Sequence, residues 1–139
     1  MTREIIKTLL PDLDKDDFER IIKFKEKLYF RFLHETRLNQ AVARILDKYF
    51  KKKTVLATNS RNERAVMILE HHQLNGKFSL RFYKEDMVAL INKFEHILSV
   101  LRVPANLIIV FENNKSEIHT AINAGIPEEN IFRVIQNAT

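Results

Sequence analysis

The chain has 139 residues, of which 45% are hydrophobic and 29% charged, and it contains no cysteine. This length fits one globular domain, or one domain with a small appendage, and the absence of thiols excludes disulfides and thiolate chemistry. No apolar run approaches the roughly 20 residues that a membrane-spanning helix needs, and no signal-peptide pattern opens the chain. We therefore expect a cytoplasmic protein with no membrane partner.

The net charge is +5, but most basic side chains are interspersed with acids. Lys51, Lys52 and Lys53 form the one uninterrupted basic run. The run falls where a helix is predicted to end, and cations are favourable at that end of the helix dipole. We interpret it as a solvated helix end, with a phosphate-binding patch as the alternative, and do not expect nucleic acid as a partner.

Residues 1–50 are predicted to be helical throughout. Ile5, Ile6, Leu9 and Leu10 recur at helical spacing until Pro11. A polar turn over 12–17 leads into a long amphipathic helix, and a third helix runs from about 39 to 50. The aspartates of the turn are typical of helix capping.

The pattern changes at residue 54. Short apolar runs at 54–57, 78–83, 107–111 and 131–135 alternate with helical patterns at 62–72, 94–101 and 115–124. This βαβαβαβ order predicts an α/β fold, with a parallel Rossmann-like sheet of about four strands and flanking helices. The α/β region spans 51–139 and follows the helical segment 1–50.

The apolar run at 107–111 is followed directly by Glu112, Asn113 and Asn114. Five consecutive apolar residues predict a buried strand, and the polar residues then lie at its carboxyl end. Ligands of open α/β sheets bind at that edge.

Together, the 107–114 stretch, Thr58-Asn59-Ser60 after the first strand and Lys93 before a helix resemble motifs of the haloacid dehalogenase-like (HAD) phosphohydrolases. The similarity is to the phosphoglucomutase-like and phosphoglycolate-phosphatase-like branch. It implies that 1–50 is a helical cap-like segment and 51–139 a HAD-like core lacking its first strand. It also implies a phosphorylated small molecule as ligand and Mg²⁺ as cofactor.

The resemblance assigns roles to individual residues. Thr58 matches the hydroxyl that holds the phosphoryl group, with Asn59 and Ser60 beside it, and Lys93 matches the lysine that offsets its charge. Thr58 and Lys93 are thus the catalytic candidates. From the residues alone, Thr58 or Ser60 could instead cap the next helix, and Lys93 could be a surface lysine.

Glu112 and Asn113 match the positions of the family's metal-binding acids. Asn113 departs from the pattern, because an amide oxygen can bind a hard cation but brings no negative charge. The alternative is a strand end whose amides cap the following helix.

The family's aspartate nucleophile has no convincing counterpart. The sequence offers Asp12-Leu13-Asp14, which follows a helical pattern and Pro11 rather than a strand. We therefore expect little or no phosphatase activity. Three explanations stay open: a truncated or split enzyme, a catalytically impaired homologue that binds a phosphorylated ligand or a protein, and a basic nucleic-acid-binding adaptor.

A core without its first strand leaves unpaired backbone groups at neighbouring strands, which are costly when buried. We expect a homodimer, or a partner that supplies the missing strand. His71 and His72 are adjacent, so they point in different directions on a helix, and we interpret them as a helix end rather than a metal site.

Overall fold

The computed structural model describes residues 3–135. The chain divides into two compact units, Met1–Arg37 and Leu38–Thr139. This division differs from the boundary at 50 that the sequence suggests, because the third helix goes with the second unit. Asn39, which caps that helix, donates from Nδ2 to the carbonyl oxygen of Ile135 at 3.1 Å.

In the described part of the first unit, residues 3–37, lie two helices, α1 (Arg3–Leu9) and α2 (Lys15–Arg31), and a short 3-10 turn at Leu33–Glu35. The capping turn predicted for 12–17 is confirmed, since the Asp14 side chain accepts a hydrogen bond from Asp17 N at 2.8 Å. Ile6 and Ile22 are the buried side chains of these helices.

Over its described residues, 38–135, the second unit alternates helices and strands. Its elements are α3 (Gln40–Tyr49), β1 (Val55–Ala57), α4 (Asn62–His71), β2 (Leu80–Phe82), α5 (Lys93–Leu101), β3 (Val110–Glu112), α6 (Lys115–Asn123) and β4 (Ile131–Arg133). This order confirms the predicted α/β class. Within the described range 3–135, no helix is long and apolar enough to cross a bilayer.

The four strands found in residues 3–135 form two parallel pairs. β1 pairs with β2, with Val55 opposite Leu80, and β3 pairs with β4, with Val110 opposite Ile131. The strand ladders traced over residues 3–135 do not join β1 to β3, so the sheet is split between these two strands. A homodimer or a partner strand that covers these edges stays a prediction.

The expectation of a fully buried strand over 107–111 is wrong. Leu107 belongs to a 3-10 turn, and Leu107 and Ile109 are 69% and 63% exposed. Ile108 and Val110 pack against the core, whereas Phe111 stacks on Phe132 with ring centroids 5.5 Å apart. Successive residues of a strand point to opposite faces, and α5 and α6 cover only one of them.

Helix α5 packs against both strand pairs. Its Ile97 and Leu101 form a cluster with Phe82 of β2. Its Phe94 forms a second cluster with Ala121 and Ile126, and Ile108 packs against both clusters. This shared helix holds the carboxyl end of β1 and that of β3 within one packed unit.

Candidate functional site

The Thr58-Asn59-Ser60 loop leaves β1 at its carboxyl end. The Thr58 hydroxyl oxygen accepts a hydrogen bond from Ser60 N at 3.1 Å, and Thr58 N donates to the carbonyl oxygen of Phe82 at 2.9 Å. The Ser60 carbonyl oxygen accepts from Lys84 N at 3.0 Å. The loop is therefore held by its own turn and by the segment after β2.

The alternative role of Thr58 or Ser60 as a helix cap is wrong. The N-cap of α4 is Arg61, which makes no side-chain capping bond. The first amide of the helix, Asn62 N, instead donates to the Glu85 carboxylate at 3.0 and 3.2 Å. The hydroxyls of the loop are thus not used at the start of α4.

Lys93 is the first residue of α5, behind the N-cap Asn92. The Asn92 side chain accepts from Phe94 N at 2.9 Å and donates to the carbonyl oxygen of Thr120 at 2.8 Å, which fixes the start of α5 against α6. The Lys93 side chain is only 10% exposed. Lysines are almost never buried unless paired, so this one differs from the surface lysine considered as the alternative.

The partner of Lys93 is Glu117, in the first turn of α6. Lys93 Nζ forms an ion pair with Glu117 Oε2, and Asn59 Nδ2 donates to Glu117 Oε1 at 3.0 Å. The Glu117 side chain is 20% exposed, and its Oε2 atom is buried. Three segments, the loop after β1 and the first turns of α5 and α6, therefore meet at one carboxylate.

The environment of Glu117 keeps the carboxylate ionised. Burial raises its pKa, but hydrogen bonds from Lys93 and Asn59 and the positive charge of Lys93 lower it by more, so the pKa lies below the ordinary value. At neutral pH the carboxylate therefore carries its charge and offsets that of Lys93.

Sequence reasoning missed Glu117. It is the third residue after the N-cap Asn114, a position where an acid is typical of helix capping. One signal could have found it: in the single sheet that the sequence predicts, an acid in the first turn after β3 is expected at the same edge as the loop after β1.

Glu112 and Asn114 stabilise the loop after β3. Glu112 Oε1 accepts hydrogen bonds from Asn113 N at 2.8 Å and Asn114 N at 3.0 Å. The Asn114 side chain accepts from Ser116 N at 2.9 Å, which confirms the capping role for this one amide.

Magnesium fits the Glu112 end of β3 poorly. One Glu112 oxygen is already engaged by two amides, and Asn113 would add a neutral oxygen to a cation that is usually held by carboxylates. No group of three or more histidine, cysteine or acidic side chains within residues 3–135 is placed to hold a metal. The metal-binding role of Glu112 and Asn113 stays a prediction.

The remaining candidates lie at helix ends. His71 ends α4, and His72 donates its amide to the Ile68 carbonyl oxygen. Burial lowers the pKa of His72, and the charge of the neighbouring His71 lowers it further. These two residues are an ordinary helix end, as predicted. Lys51–53 are exposed just after α3, which places them at the predicted helix end.

A cleft of about 310 Å³ adjoins the end of β3. Its walls are largely apolar and come from α3, from Leu74 and Phe78, and from Phe111 and Val134. Glu112 and Asn113 supply polar lining at the strand end. The cleft is therefore an open, largely apolar depression with polar groups at the strand end, and Thr58, Asn59, Lys93 and Glu117 do not line it.

The chain has a match among solved structures but none among family models or curated proteins. Among solved structures, it is similar to the crystal structure of a "putative beta-phosphoglucomutase" from Thermotoga maritima, at 23% sequence identity and a TM-score of 0.72. The match covers 98% of this chain and 64% of that one. At this identity the likeness shows the fold, and it confirms the fold expected from the HAD resemblance.

Proposed function

We propose that Leu38–Thr139, which shares its fold with a phosphoglucomutase-type structure, is a HAD-like phosphate-binding unit. Its ligand is a phosphorylated small molecule, held at the carboxyl ends of β1 and β3. The observation that carries this proposal is the convergence of Asn59 and Lys93 on a single carboxylate. A phosphate requires hydrogen-bond donors and positive charge, and Asn59 and Lys93 already provide both to one anionic group.

Each residue of the proposed phosphate site has a distinct role. Lys93 supplies the positive charge for the phosphate, and the Asn59 amide donates a hydrogen bond. The Thr58 oxygen accepts from Ser60 N. Its own hydroxyl hydrogen is still available to donate to a phosphate oxygen. Ser60 supports this arrangement through its backbone.

We further propose that the open cleft beside β3, which Thr58, Asn59 and Lys93 do not line, takes the carbon skeleton of the ligand. Its apolar walls contribute contact area, while Glu112 and Asn113 provide acceptor oxygens for hydroxyl groups. The only uninterrupted lysine run, 51–53, lies at the end of α3, as expected of a solvated helix end. We therefore favour a small phosphorylated metabolite over a nucleic acid as the ligand.

The chain alone is expected not to hydrolyse phosphate esters. In residues 3–135 no Asp-x-Asp pair follows a strand, and Asp12-Leu13-Asp14 lies in the capping turn between α1 and α2. We expect no Mg²⁺-dependent release of p-nitrophenol from p-nitrophenyl phosphate above the buffer rate, with the Asp12→Asn variant indistinguishable from the native chain. Turnover that Asp12→Asn abolishes would identify Asp12 as a nucleophile and contradict the proposal.

Inorganic phosphate is expected to stabilise the protein. At ten times its Kd a ligand adds about 1.4 kcal/mol, which corresponds to a rise in Tm of about 5–10 °C for a unit of this size. Thr58→Val should remove most of this rise, because it deletes the proposed hydroxyl donor. The measurement is a thermal melt monitored by circular dichroism over a phosphate series, with sodium chloride matching the ionic strength.

Thr54→Val is the matched control for that experiment. Thr54 precedes β1 at its opposite end, where its hydroxyl donates to the Lys77 carbonyl oxygen at 2.7 Å. The variant should lower the Tm but keep the full rise with phosphate. Melts of the native protein that do not respond to phosphate, or equal responses from both variants, would rule out the assignment of Thr58.

A further inference from the structure

The Glu117 carboxylate lies where the proposed phosphate oxygens would bind. Its two oxygens are taken by two different donors, Lys93 Nζ on Oε2 and Asn59 Nδ2 on Oε1. These donors come from segments far apart in sequence, the loop after β1 and the start of α5. A carboxylate in this position presents two anionic oxygens to them, as an edge of a phosphate group would.

Lys93 Nζ and Asn59 Nδ2 cannot bind the Glu117 carboxylate and a phosphate at the same time without weakening both interactions. Lys93 is only 10% exposed and its charge is already offset by Glu117. An incoming phosphate beside an ionised Glu117 would meet a like charge and a lysine that is already paired. The anion site of the proposed function is therefore occupied by a side chain of the protein itself.

We propose that Glu117 acts as an internal competitor for this anion site, so that a phosphate binds only when the Glu117 side chain turns away. This inference rests on the proposed function and adds a selectivity to it. A phosphate monoester carries about −1.5 to −2 charges at pH 7 and can displace a carboxylate of charge −1. Singly charged phosphodiesters and carboxylates lack that advantage.

The geometry permits the displacement. Glu117 lies in the first turn of α6, where its side chain is 20% exposed. A change of side-chain rotamer can therefore move the carboxylate into solvent without unfolding the helix. Lys93 and Asn59 would remain in place, because α5 is fixed through Asn92 and the loop after β1 through its own backbone bonds.

The test is isothermal titration of the full chain with inorganic phosphate at pH 7.5, comparing the native protein with Glu117→Gln and Glu117→Ala. If Glu117 occupies the site at least nine-tenths of the time, removing its charge should tighten phosphate binding by about tenfold or more. Glu128→Gln removes one charge from an exposed residue before β4 and should change the Kd by less than about twofold.

A double variant tests whether phosphate binding depends on Lys93. Lys93→Met with Glu117→Met removes both charges and should abolish phosphate binding while the chain still folds, as its circular dichroism melt would verify. If Glu117→Ala folds poorly, Glu117→Gln keeps the size of the side chain, and Glu117→Asp, which draws the carboxylate back by one methylene, should give intermediate tightening.

The outcomes separate the two proposals. If the native chain binds phosphate through Thr58 and the Glu117 variants bind it equally or more weakly, the competitor role is overturned and the proposed function stands. Tighter binding by the Glu117 variants that Lys93→Met removes supports both. Absence of binding in every variant overturns both.

Discussion

Phe94→Ala is expected to destabilise the protein by about 3–5 kcal/mol, the range for deleting a buried aromatic ring. Phe94 is 7% exposed and packs with Ala121, which is fully buried, and with Ile126 at 2% exposure. This cluster holds α5 against α6 and β3. Because domains of this size have about 5–15 kcal/mol of total stability, the loss should be visible as a large fall in the urea midpoint.

Two further variants test whether the ring itself is responsible. Phe94→Leu keeps most of the apolar volume and should recover more than half of the loss. Phe132→Ala removes the same ring from β4, where the side chain is 50% exposed and stacks on Phe111, and should cost only about 1–2 kcal/mol. Equal losses for Phe94→Ala and Phe132→Ala would show that the cluster does not anchor the unit.

The helices and the cap of α2 were predictable because they depend on nearby residues, whereas the first amide of α4 is bound by Glu85, 23 residues further along the chain. The spacing of apolar residues in α2 and the aspartates before it are local signals, and the Asp14 side chain caps the helix as expected. The order of strands and helices from β1 to β4 was likewise visible in short runs of apolar residues. These features need no knowledge of the tertiary structure.

The pairing of strands was not predictable from the same signals. A run such as 107–111 reports how apolar a segment is, but not which faces are covered, and Ile109 is 63% exposed despite lying within it. The split between β1 and β3 depends on contacts between distant segments. A local pattern contains no information about such contacts.

The candidate site was only partly predictable, because some of its contacts join segments that are distant in sequence. Thr58 and Lys93 stand next to strand or helix ends, where the sequence points to ligands. Their surroundings depend on Glu117, which is 24 residues after Lys93 and resembles an ordinary acid of a first helical turn. The burial of Lys93 follows from that pairing and could not be read from its neighbours in sequence.

Lys93→Met is expected to cost about 2–4 kcal/mol, since it leaves the ionised Glu117 carboxylate buried on one side without a cation. Adding Glu117→Met should restore most of that loss, because removing both partners of a buried pair by apolar groups of similar shape is often nearly neutral. Urea unfolding of the native chain, both single variants and the double variant measures the coupling energy directly.

The pH dependence distinguishes this ion pair from simple packing. The pKa of Glu117 is lowered in the folded protein, so its stabilising contribution is present above the unfolded pKa of about 4.3 and lost as the pH falls through the lower folded value. In Lys93→Met the main cause of lowering is gone, and burial then favours the protonated carboxyl. The stability gap between native and Lys93→Met should therefore be largest near pH 7 and shrink steadily below about pH 5. A gap that stays constant from pH 7.5 to 3.5 would mean that the lysine contributes only its methylene contacts, and the charged site at the carboxyl ends of β1 and β3 would then lose its electrostatic basis.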